Sequence, residues 1–222
     1  MSPRRYSMIR KKAAIAETRQ RIVEATLELH GQKGIFGTSW KDIAREADVS
    51  VGTVYKHFPT LDELVPACGE LLMERVRPPK PESAGEIISE AKDPGERLRR
   101  VAAELFAFYH RGGRHLDSDL RERELPATRE WEEYLRAMVT GFLREALVDC
   151  DPGGEVIERI SFLFDFPTFN AMRIRGIGPD TAAETVTGMV MSWIGSGEQA
   201  KEFMKSRKKR QGAKPGSKPD QH

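Results

Sequence analysis

Two cysteines in 222 residues, Cys68 and Cys150, are too few and too far apart for a disulfide framework or a Cys/His metal site. Both read as buried free thiols. No apolar run approaches the ~20 residues of a membrane span, and the N-terminus lacks the apolar core of a signal peptide, so a cytoplasmic protein without a membrane partner is expected. The chain has no glycine-rich phosphate loop, dinucleotide fingerprint or nucleophile elbow. Its five histidines, His30, His57, His110, His115 and His222, are scattered, and none pairs locally with a cysteine or carboxylate in a recognised pattern. These absences argue against an enzyme, and no cofactor or metal is expected.

What is present is helix. With 39% hydrophobic and 32% charged residues the chain has enough apolar material for a buried core and enough charge for many exposed helix faces. The net charge of +2 conceals an asymmetry. Residues 1–12 carry Arg4, Arg5, Arg10, Lys11 and Lys12 with no acid, the last 22 residues carry eight basic and two acidic side chains, and the stretch 81–200 is left at −8. A polyanion is attracted to the N-terminal part and weakly repelled by the rest.

The stretch Thr38–Phe58, TSWKDIAREADVSVGTVYKHF, organises the chain. Trp40, Ile43, Ala44 and Ala47 recur at i, i+3, i+4 and i+7, one apolar face of a short helix. Ser39 with Asp42 three residues on forms a capping-box pattern at its start. Ser50 is a natural N-cap for a second helix, in which Val54 and Phe58 share a face. Asp48 and Val49 alone separate the two, a corner that needs a residue tolerant of left-handed backbone; Asp is one of the few besides glycine. Two short helices about a tight turn are a helix-turn-helix. With Val54 and Phe58 docked inward, Ser50, Val51, Gly52, Thr53, Tyr55, Lys56 and His57 point outward, a set suited to phosphates and base edges. An ordinary helical corner meeting only water remains the alternative reading of the pattern by itself.

This stretch resembles the TetR family of repressors. The match runs from Arg21 to Val65: a first helix RIVEATLELHGQKGI, then TSWKDIA, ADVSVGTVYKHF and LDELV. Two positions depart from the family pattern. Asp48 stands for the usual turn glycine, and Leu61 occupies the place of a phosphate-touching lysine, so the resemblance implies that the helix N-terminus with Thr60 holds that phosphate. It also implies a candidate DNA-contact set of Thr38, Ser39, Trp40, Lys41, Ser50, Val51, Gly52, Thr53, Tyr55, Lys56, His57 and Thr60.

Elsewhere the reading is of helices and breaks. Residues 1–16 are expected to be a disordered basic arm and 199–222 a disordered basic, Gly/Pro-rich tail. The first helix starts near Glu17 with Ile22, Ala25, Thr26 and Leu29 inward, and Ile35 and Phe36 plug the core beneath the reader. Thr60 and Glu63 cap a fourth, linking helix over 60–76, with Pro66 inside it, and RPPKP at 77–81 divides the reading domain (17–60) from a body over 82–198. Ser83 and Glu86 cap a short helix, and Asp93-Pro94-Gly95-Glu96 starts a long one. The charged stretch RHLDSDLRERELPA is a short helix or a loop. A long amphipathic helix spans Pro126 to about Val148; two more run from about Glu155 to Arg175, kinked at Pro167, and from Pro179 to Ile194.

The expected fold is therefore all-α: an N-terminal three-helix DNA-binding domain with a helix-turn-helix, followed by a larger helical ligand-binding and dimerisation domain. Apolar surface on more than one side of the last two helices calls for a second chain, and the resemblance implies a homodimer through them. Val156, Ile160, Leu163, Ala182, Val186, Met189, Val190 and Trp193 are the candidate interface. A small-molecule site is expected among Phe106, Tyr109, His110, Trp131, Tyr134, Met138, Phe142, Phe162, Phe166, Phe169 and Met172, many of which simply fill core. The resulting expectation is a repressor that binds a palindromic double-stranded DNA operator as a dimer and is released by an effector. A helical binding module with a vestigial reader, or an effector-independent activator, is the alternative.

Overall fold

The computed structural model describes residues 3–195, with side chains from residue 8 onward. The basic tail expected from residue 199 lies outside the described residues. Among those described there are ten α-helices joined by short 3-10 turns, and no strand. No helix among them is long and apolar enough to cross a membrane.

Helix α1 (Pro3–Lys33) begins well before the expected start near Glu17, so residues 3–16 extend a helix where a loose arm was expected. The local sequence explains the difference. Ala13, Ala14 and Ala16 sit among lysines and arginines, all good helix formers, and Pro3 falls at the first position, where no amide is needed. The inward stripe is as expected, with Ile22, Ala25, Thr26 and Leu29 buried and the Thr26 hydroxyl donating to the Ile22 carbonyl at 2.7 Å. Helix α2 (Trp40–Glu46) packs on α1 and α3 (Val51–His57) on α2, and together with α4 (Leu61–Val76) they enclose one small core.

Helix α4 passes from that core into the second. Leu64, Ala67 and Cys68 belong to the reader, whereas Val76, at its last turn, belongs to the body. The helix runs through Pro66. Its end is held from the body: the Arg111 guanidinium donates to the Val76 and Arg77 carbonyls at 2.9 and 3.1 Å, satisfying acceptors that a helix C-terminus leaves open. Arg77, at φ +48°, closes the helix in the left-handed region. Thr60 occupies the N-cap position, but its side chain makes no capping bond, so the expected Thr60–Glu63 box is absent.

The body comprises α5 (Ala84–Ile88), α6 (Pro94–Gly112), α7 (Pro126–Ala146), α8 (Gly154–Ser161), α9 (Phe166–Arg173) and α10 (Pro179–Gly195). Asp93 caps α6, accepting from the Glu96 amide at 3.0 Å. Ser83 does not cap α5; its hydroxyl turns back to the Lys80 carbonyl at 2.7 Å. RHLDSDLRERELPA resolves into two 3-10 turns, Gly113–Leu116 and Glu122–Glu124. The helix expected over 155–175 is two helices with a 3-10 turn between them, because Pro167 is accommodated in the first turn of α9, where its missing N–H leaves no carbonyl unpaired. Helix α6 is central, and α10 lies along it, Ala182, Ala183, Val186 and Val190 closing on Leu98, Val101, Ala102 and Leu105 within one buried cluster.

Candidate nucleic-acid interface

The reader's two helices are set by their caps. The Ser39 hydroxyl donates to Asp42 at 2.8 Å and accepts from the Asp42 amide at 3.1 Å, while the Ser39 amide donates to the Asp42 carboxylate, completing the capping box. These bonds from Ser39, more than the nearby Arg45 and Lys33, hold the Asp42 carboxyl down at about 2. The Ser50 hydroxyl accepts from the Thr53 amide at 3.1 Å and caps α3. Between the helices Asp48 takes φ +53°, the left-handed corner anticipated for it. Ile43, Ala44, Ala47, Val54 and Phe58 are buried together.

What α3 then presents is Ser50, Gly52, Tyr55 and Lys56, all exposed, with Thr53 and His57 half-buried beside them. Val51 departs from expectation: it is half-buried and packs on the reader core, so it is a structural residue more than an outward one. Trp40 is likewise half-buried, and its ring lies 4.9 Å from that of Tyr55. The flanking set divides the same way. Lys41, Ser39 and Thr60 are exposed, whereas the half-buried Thr38 spends its hydroxyl proton on the Gly34 carbonyl at 2.8 Å. The structure thus leaves Ser39, Lys41, Ser50, Gly52, Tyr55, Lys56 and Thr60 exposed and Thr53 and His57 half-buried, with Trp40, Thr38 and Val51 tied into the reader.

The core plugs predicted beneath the reader are not plugs. Ile35 is half-buried, and Phe36 is exposed with the Arg121 guanidinium 4.4 Å above its ring. Cys68 is buried, and burial pushes its thiol up to about 12, which leaves it an inert packing group. Cys150 is only half-buried.

The expected ligand site is largely core. Phe106, Tyr109, Met138, Phe142, Phe166 and Phe169 are buried, the rings of Phe106, Tyr109 and Phe169 packing within about 6 Å of one another. Met172 packs partly buried against that core; Phe162 and His110 are exposed. Trp131 and Tyr134 of the set line a sizeable cavity that lies elsewhere, between body and reader, with His30, His115 and Glu122. Glu122 had no signal in the sequence: a glutamate in a charged run reads as solvated, and its partner, the Ile35 amide, is 87 residues away.

The expected interface residues fare similarly. Ile160, Ala182, Val186 and Val190 are buried inside the chain itself, and Val156, Leu163 and Trp193 pack against the same core, so only Met189 of that set is exposed, at 56%. The 3.6-residue stripe on α10 is its inner seam against α6.

Comparison with known proteins agrees with this geometry. Residues 22–68 match the family profile described as bacterial regulatory proteins, tetR family. The HTH-type transcriptional regulator SrpR of Pseudomonas putida is 50% identical over 52 residues, 23% of this chain and 24% of that protein. The HTH-type transcriptional regulator AcrR of Shigella flexneri is 35% identical over 92 residues, 41% of this chain and 40% of that one. The chain thus matches less than half the length of these curated relatives. A solved structure described as the multidrug binding protein EbrR complexed with imidazole aligns at 25% identity with a TM-score of 0.54, covering 76% of this chain and 92% of that one, so the likeness reaches into the body. Residues 22–68 thus carry the helix-turn-helix described for bacterial regulatory proteins of the tetR family, on an all-helical fold similar to that of the solved relative.

Proposed function

We propose that this chain is a transcriptional regulator that grips a palindromic DNA operator as a homodimer and acts as a repressor relieved by a small molecule. The observation that carries the reading is the presentation of α3: its apolar residues Val54 and Phe58 are buried while Ser50, Gly52, Tyr55 and Lys56 face out on a rigidly capped frame. Two such helices related by a dimer axis would enter successive major grooves about 34–36 Å apart. Support for the dimer comes from large apolar side chains left exposed in the last part of the body, Phe162, Ile174 and Met189. An effector would release DNA only by binding more tightly to a state with the wrong spacing than to the gripping one.

The test is titration of the full chain against a duplex from its own upstream region, with salt varied. Specific binding is expected, and Tyr55→Ala with Lys56→Ala together should abolish it. Unchanged specific binding by that double variant would remove α3 as the reading element.

A further inference from the structure

A cavity of about 650 Å³ lies where the reader meets the body. Helices α1 and α4 wall one side of it; the segment 114–122 and the start of α7 wall the other. The volume falls within the range of roughly 300–1,000 Å³ typical of small-molecule sites. One wall is an aromatic shelf, the rings of Trp131 and Tyr134 stacked with centroids 5.3 Å apart and planes 24° apart. Tyr134 remains 41% exposed there, although Met138, one turn further along α7, is buried.

The charge around this shelf is mainly negative. Asp117, Asp119, Glu122 and Glu130 line the cavity against Lys33 and Arg114, and Lys33 is drawn 3.7 Å from Asp42 on the reader. The imidazole of His30 adds no dependable positive charge, since burial first and the neighbouring His115 second push it down to about 4. The Nε2 of His30 is buried without a hydrogen-bond partner. Carboxylates beside exposed π faces favour an organic cation and disfavour an anion.

One of these carboxylates also holds the reader. Glu122 belongs to the body and is 5% exposed. Its Oε1 accepts the Ile35 backbone N–H at 2.5 Å, and its Oε2 accepts the Asp119 N–H at 3.0 Å. Ile35 lies in the loop that joins α1 to α2, three residues before Thr38. Gly34 makes room for the contact: a Cβ there would come within 2.7 Å of the same Oε1, and its φ of +75° suits glycine. A charge-assisted bond from body to reader therefore forms part of the cavity wall.

We propose that this cavity binds an amphipathic organic cation, with its apolar or planar part on Trp131 and Tyr134, and that the bound cation weakens DNA binding by competing with the Ile35 amide for the Glu122 carboxylate. The second half rests on the reading of the chain as a DNA-binding regulator; the first half does not.

Calorimetric titration of the full chain with tetraphenylphosphonium and ethidium, and with the aromatic anion 8-anilinonaphthalene-1-sulfonate as charge control, tests the site. The cations should bind at least about tenfold more tightly than the anion, and Trp131→Ala should weaken the cations by a similar factor. Equal or tighter binding of the anion, or no change in Trp131→Ala, overturns the site. DNA anisotropy in the presence of each cation tests the coupling. Release of DNA from the wild type, but not from Glu122→Gln, which keeps an acceptor for Ile35 and loses the charge, is expected; equal release from both overturns the route through Glu122. Cation binding by a chain that binds no specific duplex leaves the site standing and removes the regulator reading. Specific DNA binding that does not change when calorimetry shows the cation bound leaves the site and the regulator reading standing and overturns the coupling.

Discussion

The indole of Trp40, the first residue of α2, lies 4.9 Å from the ring of Tyr55 in α3, tilted by 32°. Tyr55 is 46% exposed, so without this contact its ring would be free to move on the surface that the proposed function turns toward a duplex. The pair fixes the exposed tyrosine to the capped start of the preceding helix. Aromatic pairs of this kind contribute about 0.5–1.5 kcal/mol beyond their buried area. Trp40→Ala is therefore expected to lower stability and to weaken operator binding, whereas Tyr55→Phe keeps the ring contact and loses only the hydroxyl. Denaturant midpoints and DNA anisotropy on both variants check this. DNA binding by Trp40→Ala equal to wild type would show that Tyr55 needs no support.

Leu61 stands at the first position of α4, behind Thr60, whose hydroxyl makes no capping bond. The first turn of α4 also carries Asp62 and Glu63, which oppose an approaching phosphate. The reader accordingly lacks a cation where the family pattern places one. Leu61→Lys should tighten binding at low salt and steepen the dependence of log K on log salt by about 0.9, one extra phosphate neutralised. The cost to folding is a few tenths of a kcal/mol at about 1 kcal/mol most, from a cation at a helix N-terminus. Salt titrations of both proteins on one duplex measure the difference in slope.

The legibility of the chain in its sequence follows from the range of the interactions involved. Ser39–Asp42, Ser50–Thr53 and Asp93–Glu96 are bonds between residues three apart, and the left-handed corner at Asp48 is a property of one residue; all were readable. Periodicity located α6, α7 and α10, but it could not say what each apolar stripe faces. Val186 and Val190 carry the same signal whether α6 or a second chain covers them, and here α6 does. Phe106 and Phe169 likewise read as pocket or core until their 5.1 Å ring contact is seen. The Glu122–Ile35 bond joins residues 87 apart and has no local signature.

His30 gives a pH dependence with a definite sign. Burial, and then the nearby His115, lower its pKa from 6.5 to about 4. A base whose folded pKa lies below its unfolded value takes up protons more readily when unfolded, so its contribution is fully present above about 6.5 and is lost as pH falls toward about 4. The loss is on the order of 1–3 kcal/mol, given that the imidazole is not wholly buried. Asp117, Asp119 and Glu122 share the cavity, so the quantity to read is the difference between the stability curves of the wild type and His30→Phe. That difference should change between pH 6.5 and 4 and be flat above pH 7. Parallel curves throughout would mean that His30 is not the titrating group.

The face of α10 turned away from α6 sets the last expectation. It carries Thr181, Glu184, Gly188, Met189 and Ser192, all exposed, and a Cβ built on Gly188 would meet nothing within 4 Å. Such a face lets another helix come close, with Met189 as its apolar centre. Phe162, which is 58% exposed just after α8, is a second large side chain that a partner would cover. If the chain dimerises here, Met189→Glu and Phe162→Glu each bury a charge at the interface and should shift sedimentation toward monomer with little change in the stability of the isolated fold. Val190→Ala, on the inner face, should do the opposite: lower stability by about 1–3 kcal/mol through lost packing and leave the association state unchanged. Retention of the dimer by both glutamate variants, with dissociation caused by Val190→Ala, would place the contact on the inner seam and require α10 to leave α6 when two chains meet.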